Sequence, residues 1–196
     1  MKIIGLTGGI AAGKSAAAQA LEQLGARIID ADAIAHALTR PGEDLVRNIA
    51  AAFGKDVLAQ DGTLDRAVLA KLVFFDEVQR RRLEALMHPR IEQRMTQCLN
   101  EARDEGIACA VLVVPLLFEA GLERLCDEVW VVDTPVSVRT ERLSRRGLSR
   151  EEAQARIASQ MPDDQRISRA NRVLDGSGSL EQLKAQAAAL WTEALA

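Results

Sequence analysis

A chain of 196 residues that is 48% hydrophobic can bury a sizeable core, and it suits one domain with insertions better than two independent domains. Its net charge of −3 argues against nucleic acid as the main partner, because binding a phosphate backbone needs a basic surface. Cys98, Cys109 and Cys126 are odd in number and lack C-x-x-C spacing, and only His36 and His88 accompany them. That argues against a disulfide framework and a zinc site, and for reduced thiols in a cytoplasmic protein. No run of about 18 apolar residues is present to span a membrane, and Met1-Lys2 leads into a short apolar stretch without a signal-peptide pattern.

The first predicted element is a strand over Lys2–Thr7, followed at once by Gly8-Gly9-Ile10-Ala11-Ala12-Gly13-Lys14-Ser15. This matches the phosphate-binding pattern G-x-x-x-x-G-K-[ST] in the strand-to-helix setting that the pattern requires. Backbone N–H groups of such a loop converge on phosphates, and the helix behind it presents its positive dipole end. Lys14 has the length to reach the β/γ oxygens, and the Ser15 hydroxyl can ligate Mg²⁺. Ala16-Ala17-Ala18-Gln19-Ala20-Leu21-Glu22-Gln23-Leu24 are strong helix formers, and Gly25 stands where a left-handed C-terminal cap belongs. A nucleoside triphosphate, with Mg²⁺ carried in alongside it, is the expected ligand.

A second strand is expected over Arg27–Asp30, with Asp30 and Asp32 at its end. One of the two can cap the helix that follows, and the other can act as a base toward a transferring phosphoryl group. From Ala33 to Arg103 the pattern is helical, with breaks expected at Pro41-Gly42, Asp61-Gly62-Thr63 and His88-Pro89. The stretch is too long for a simple crossover and reads as a helical insertion that holds an acceptor. Strands are expected again at Ala110–Val114, Glu128–Asp133 and Arg172–Leu174, so the alternation predicts a parallel sheet of five strands wrapped by helices. Ligands bind at the carboxyl ends of such strands. That singles out the phosphate loop, the aspartates, the stretch after Pro115 and Asp133.

Val129-Trp130-Val131-Val132-Asp133 has the form of a Walker B strand, although a cap on the following helix is the favoured role for Asp133. Arginines crowd the stretch Arg139, Arg142, Arg145, Arg146, Arg150, Arg156, Arg166, Arg169 and Arg172, interleaved with Glu141, Glu151 and Glu152. In a nucleotide enzyme this points to a phosphate clamp more than to a duplex-binding face. The segment from Arg139 to Asp164, broken at Gly147-Leu148-Ser149 and ending at Met161-Pro162, fits a mobile lid. Leu180–Leu195 reads as a terminal helix.

Taken together, these segments resemble the dephospho-coenzyme A kinase family over nearly the whole chain. The resemblance rests on Leu6-Thr7-Gly8-Gly9-Ile10, Asp30-Ala31-Asp32 with Ile34-Ala35-His36, His88-Pro89, Pro115-Leu116-Leu117-Phe118-Glu119, Arg142-Leu143 and Arg146-Gly147-Leu148-Ser149. Gln160-Met161 and Val173-Leu174-Asp175 also fit. It implies ATP-dependent phosphorylation of the ribose 3′-hydroxyl of dephospho-coenzyme A. The phosphate loop with Ala16 would hold the nucleotide, and Asp32 would act as base or orient the hydroxyl. His88, Pro89, Leu116, Leu117, Phe118 and Glu119 would help form the acceptor pocket, and Arg142 and Arg146 would come from the lid to neutralise charge or stack on the adenine. The implied layout has a core of about residues 1–32, 104–138 and 170–196, an acceptor insertion of about 33–103 and a lid of about 139–165.

The chain departs from the family pattern at three places. Ala11 and Ala12 replace the glycine and serine usual inside the loop, Ala16 stands in place of a common threonine, and Gly176 follows Asp175 in place of a common asparagine. Another small-molecule P-loop kinase and a non-catalytic ATP-binding switch are the competing readings, and a guanine-reading N-K-x-D motif is missing. A monomer or weak homo-oligomer is expected, with no nucleic-acid or membrane partner.

Overall fold

The computed structural model describes residues 1–74 and 76–195; Phe75 and Ala196, which fall in the expected insertion and core, lie outside the described residues. The chain divides into two compact units, Met1–Asp30 with Leu99–Ala196, and Ala31–Cys98.

The first unit carries five parallel strands: β1 (Lys2–Gly8), β2 (Arg27–Asp30), β3 (Cys109–Val113), β4 (Glu128–Asp133) and β5 (Arg172–Asp175). Their order in the sheet is β2-β3-β1-β4-β5. β1 lies at the centre, pairing Leu6 with Val113 on one side and Gly8 with Val132 on the other. The central strands read as apolar runs because both their faces are covered, as parallel sheets require. Ile4, Leu6, Val111, Trp130, Val132 and Leu174 form the buried core with Ala17, Leu21, Leu183 and Ala187. The last four come from the helices α1 (Lys14–Gln23) and α9 (Leu180–Leu195).

Helix α1 ends as its composition suggests. Gly25 has φ +99°, and the amides of Gly25 and Ala26 return to the carbonyls of Glu22 and Leu21. This is the Schellman pattern, which a residue without Cβ adopts at least cost.

The second unit has its own core. Helices α2 (Ala31–Leu38), α3 (Asp44–Phe53), α4 (Arg66–Phe74) and the N-terminal part of α5 (Glu77–Asp104) are its elements. Leu45, Ile49, Val57 and Leu69 are buried together there. A single antiparallel bridge, Leu58 to Leu64, closes the Asp61-Gly62-Thr63 turn, where Asp61 accepts from both the amide and the hydroxyl of Thr63.

Two expectations are corrected. His88-Pro89 does not break a helix: Pro89 lies inside α5, whose 28 residues run on through it. An internal proline removes one N–H and costs about 3 kcal/mol. Good helix formers on both sides and ion pairs such as Arg81–Glu77 keep the segment helical. Asp133 does not cap the next helix, since Pro135 is the N-cap of α6 (Val136–Ser144).

Beyond α6 come α7 (Arg150–Ala158) and α8 (Asp163–Ser168). Ser149 and Glu152 form a reciprocal capping box at the start of α7. The cysteines are free thiols, and burial pushes Cys109 up to about 11 and Cys126 up to about 12. No helix of the described residues is long and apolar enough to cross a membrane.

Candidate active site

The phosphate loop leaves the carboxyl end of β1, the sheet's central strand, and enters α1 at Lys14. Its glycines are fixed by crowding and by backbone shape. A Cβ on Gly8 would collide with the Val132 carbonyl oxygen, and one on Gly9 would collide with the Arg139 guanidinium. Gly13, the N-cap of α1, has φ +119°.

Within the described residues, the amides of Ala11, Gly13 and Ser15 donate to no other group, as expected at a helix start. Three uncommitted N–H donors beside the positive end of a ten-residue helix suit an anionic ligand. Lys14 Nζ donates to the carbonyls of Gly8 (2.8 Å) and Gly9 (3.1 Å), so its ammonium lies on the strand side of the loop. Ser15 is exposed in the first turn of α1, where its hydroxyl can join a phosphate-bound cation. The described residues hold no cluster of three His, Cys, Asp or Glu side chains able to bind a metal on their own.

Ala11 has φ +60°, the only non-glycine residue among those described with a positive φ. This is one of the two positions where the chain departs from the family's inner loop. A side chain in the left-handed region costs roughly 1–2 kcal/mol, which glycine avoids. Ala11→Gly is therefore expected to stabilise the protein by about 1 kcal/mol, a rise in Tm of about 2–4 °C, read by thermal melting without ligand. An unchanged or lower Tm would show that Ala11 is not strained.

Behind the loop the arginine-rich stretch takes up several separate tasks. Arg142 donates to the carbonyls of Ala11 (3.2 Å), Ala12 (3.1 Å) and Gly176 (2.7 Å), tying the loop to the end of β5. The Thr134 hydroxyl adds a 2.8 Å bond to the Ala12 carbonyl. Gly176 belongs to this knot, because a Cβ there would strike both Thr134 Oγ1 and the Ala12 carbonyl oxygen.

Arg139 and Arg166, each 2% exposed, share Asp163 between them. Arg139 Nε also donates to the Thr134 carbonyl (2.8 Å). Arg145 pairs with Glu141, and Arg172 with Glu193. Arg169 pairs with Glu123 and lies 4.2 Å from the Phe118 ring centroid. The expected clamp is thus corrected: most of these charges meet neighbouring acids, and for the buried Arg139 and Arg166 such a partner is what burial of a guanidinium demands. Arg142 is the member that bonds directly to the loop, and Arg146 is exposed past the end of α6. Because Arg139 fills the space beside Gly9, Gly9→Ala is expected to cost about 1–3 kcal/mol, measured by thermal or urea unfolding. Wild-type stability in that variant would refute the packing.

The stretch after β3 splits in two. Leu116 and Glu119 are exposed, whereas Leu117 is fully buried and packs toward Gly5, and Phe118 is buried under Arg169. Leu117 and Phe118 thus pack into the protein beside the exposed Leu116 and Glu119. Glu119 Oε1 accepts from the Met161 amide (3.1 Å).

Asp30 ends β2 in register with Val113, at the same edge of the sheet as the phosphate loop. Asp32 lies in the first turn of α2 and so inside the helix, which leaves the capping position directly before the helix to Asp30. In the same unit Arg66 donates to Thr39 Oγ1 (2.9 Å) and meets His36 Nδ1 at 3.0 Å. His88 and Pro89 are exposed on α5.

Sequence reasoning passed over three contributors: Gln160, which accepts from the Ile10 amide, Asp163 between the buried arginines, and Thr134 under the loop. Only Gln160 left a trace in the sequence, as part of the Gln160-Met161 pair.

A glycine-rich loop between the central strand of a parallel sheet and a helix N-terminus, with lysine and serine opening the helix, defines a P-loop nucleotide-binding fold. A family model described as CoaE, dephospho-CoA kinase, matches residues 2–182. Dephospho-CoA kinases from Symbiobacterium thermophilum and Corynebacterium glutamicum are each 47% identical, over 99% and 98% of this chain and 82% and 96% of theirs. A solved dephospho-CoA kinase from Campylobacter jejuni superposes with TM-score 0.72 at 29% identity, covering 99% of this chain and 98% of that one. A Thermus thermophilus protein superposes with TM-score 0.84 at 37% identity, covering 98% and 97%. Shikimate kinase from Bacteroides thetaiotaomicron, 15% identical with TM-score 0.53, shares the fold. The chain belongs to the dephospho-CoA kinase family, a family of transferases in coenzyme A biosynthesis.

Proposed function

We propose that this chain transfers the γ-phosphoryl group of ATP to the ribose 3′-hydroxyl of dephospho-coenzyme A. The observation that carries the nucleotide half of this reading is the loop itself: amides at Ala11, Gly13 and Ser15 with no acceptor among the described residues, and the Lys14 ammonium on the strand side. Family membership carries the acceptor half.

In the proposed reaction the 3′-oxygen forms a bond to the γ-phosphorus while the bond to the β,γ-bridging oxygen breaks. ADP leaves, and Asp32 takes the hydroxyl proton. Positioning and charge neutralisation supply most of the catalysis in such transfers. The loop amides and Lys14 neutralise the phosphates, and Ser15 is the residue that would hold Mg²⁺, which when bound would supply further charge neutralisation.

Arg142 serves by holding the Ala11 and Ala12 carbonyls, which keeps the neighbouring amides turned toward phosphate. Arg146, His88, Pro89, Leu116, Leu117, Phe118 and Glu119 are assigned to ligand contacts. Residues 33–103 are assigned to acceptor binding and about 139–165 to a lid. The proposed lid begins inside α6, where Arg139 and Leu143 are buried, so its moving part starts later, beyond Gly147. A soluble cytoplasmic protein, monomeric or weakly homo-oligomeric, is the proposed state.

The test offers the purified chain ATP and Mg²⁺ with dephospho-coenzyme A, adenosine, AMP or shikimate, and follows ADP and phosphorylated acceptor together. Equal amounts of ADP and coenzyme A, with the first acceptor alone, are expected. Transfer to another acceptor would overturn the assignment, and so would ADP release with no phosphorylated product.

A further inference from the structure

The Gln160-Met161 pair is unexplained by the reaction as described so far, yet it is held more firmly than a surface turn requires. The Met161 amide donates to Glu119 Oε1 (3.1 Å), and the Met161 carbonyl accepts from Arg166 Nη2 (2.6 Å). Arg166 is itself buried against Asp163, and Pro162 stiffens the next residue. On this fixed backbone the Gln160 side chain reaches the phosphate loop, where Oε1 accepts from the Ile10 amide at 2.7 Å.

That bond decides which way the carboxamide is turned. An amide N–H can donate only to the oxygen, so the NH₂ group is the other branch of the plane. Among the described residues no group accepts from Gln160 Nε2. Two N–H donors are thereby set beside the loop with their direction fixed by the bond to Ile10.

The position along the loop indicates which phosphate they meet. Amides leading into the helix cradle the α- and β-phosphates, while the loop lysine reaches the β and γ oxygens. Lys14 Nζ rests on the carbonyls of Gly8 and Gly9, immediately before Ile10. The Lys14 ammonium and the Gln160 carboxamide therefore sit at the same end of the loop.

We propose that Gln160 is a ligand of the γ-phosphate, one arm of its carboxamide locked on the Ile10 amide and the other donating to the transferring group. Donors fixed before reaction stabilise the charge that spreads over the phosphoryl oxygens in the transition state. A neutral side chain suits this place, since a carboxylate would accept from Ile10 equally well but would repel the triphosphate. The inference rests on the ATP reading given above.

Gln160→Met keeps the size and neutrality of the side chain while removing both arms. Calorimetry with ATP and with ADP, each with Mg²⁺ and without acceptor, is expected to show ATP bound at least fivefold more weakly than by wild type, and ADP changed by less than twofold. Turnover is expected to fall about 10²–10³-fold, the range for losing one transition-state donor. Equal losses for ATP and ADP would reduce Gln160 to a brace of the loop and overturn the proposal, as would unchanged binding of both. A wild-type protein that binds neither nucleotide would instead refute the ATP reading.

Nitrogen-15 NMR of the wild type gives a second readout that does not depend on the variant's folding. The Gln160 side-chain NH₂ signals, assigned by selective glutamine labelling and their loss in Gln160→Glu, are expected to move with the β,γ-imido analogue of ATP and to stay in place with ADP. Identical movement with both nucleotides contradicts the proposal.

Discussion

Asp32→Asn is expected to lower turnover about 10²–10⁴-fold while leaving the Kd for ATP within about twofold of wild type. Asparagine keeps the shape of the side chain and its place in the first turn of α2, but it cannot take a proton at neutral pH. The helix should survive the change, because Asp32 lies inside the first turn of α2 and not at the position before it. Stopped-flow or coupled assays of ADP formation, together with calorimetric titration of ATP, separate the two quantities. A variant with full turnover would remove Asp32 from the chemistry, and one that loses ATP binding and turnover together would make it a nucleotide ligand.

The second large effect is at Lys14. Lys14→Ala is expected to lower kcat/KM for ATP by at least about 10²–10³-fold, because it removes a cation whose charge meets the phosphates as they develop negative charge. The loss has a local component as well, since Nζ bonds to the Gly8 and Gly9 carbonyls and helps set the loop's shape. Lys14→Arg separates the two. A planar guanidinium restores charge but not the compact point donor, so it is expected to recover only a minor part of the activity. Steady-state kinetics with ATP varied at saturating acceptor measures both variants. Near-normal kcat/KM in Lys14→Ala would remove the lysine from phosphoryl transfer.

Much of the fold was legible because its signals are local. The strands β1, β2 and β4 are continuous apolar runs bounded by glycine or aspartate, and the phosphate loop has a motif with a mechanism in every residue. Gly25 as a helix end also follows from neighbours in sequence. The strand order β2-β3-β1-β4-β5, in contrast, depends on pairing across the chain.

What escaped the sequence is decided by tertiary partners. Pro89 looks like a break, but neighbouring helix-forming residues and ion pairs carry α5 across it. Arg139 and Arg166 look like members of a phosphate clamp until Asp163 is seen to pair with both. The burial of Leu117 and Phe118 depends on neighbours far along the chain, Gly5 for one and Arg169 for the other. The left-handed backbone at Ala11 was hidden because alanine gives no sign of it.

Gly176 shows how the candidate site was half legible. The absence of an asparagine side chain there could be read directly, but the reason for glycine could not. The Ala12 carbonyl and the Thr134 hydroxyl occupy the space where a Cβ would go, and they come from two other parts of the chain.

The central claim is transfer of the γ-phosphoryl group to one particular hydroxyl. It is tested most directly by the position of the new phosphate on the product. Dephospho-coenzyme A incubated with this protein, ATP and Mg²⁺, then examined by phosphorus and proton NMR, is expected to gain one phosphomonoester coupled to the ribose H3′, with one ADP formed per product. A phosphate on another hydroxyl, or ADP formed while dephospho-coenzyme A is recovered unchanged, would contradict the account.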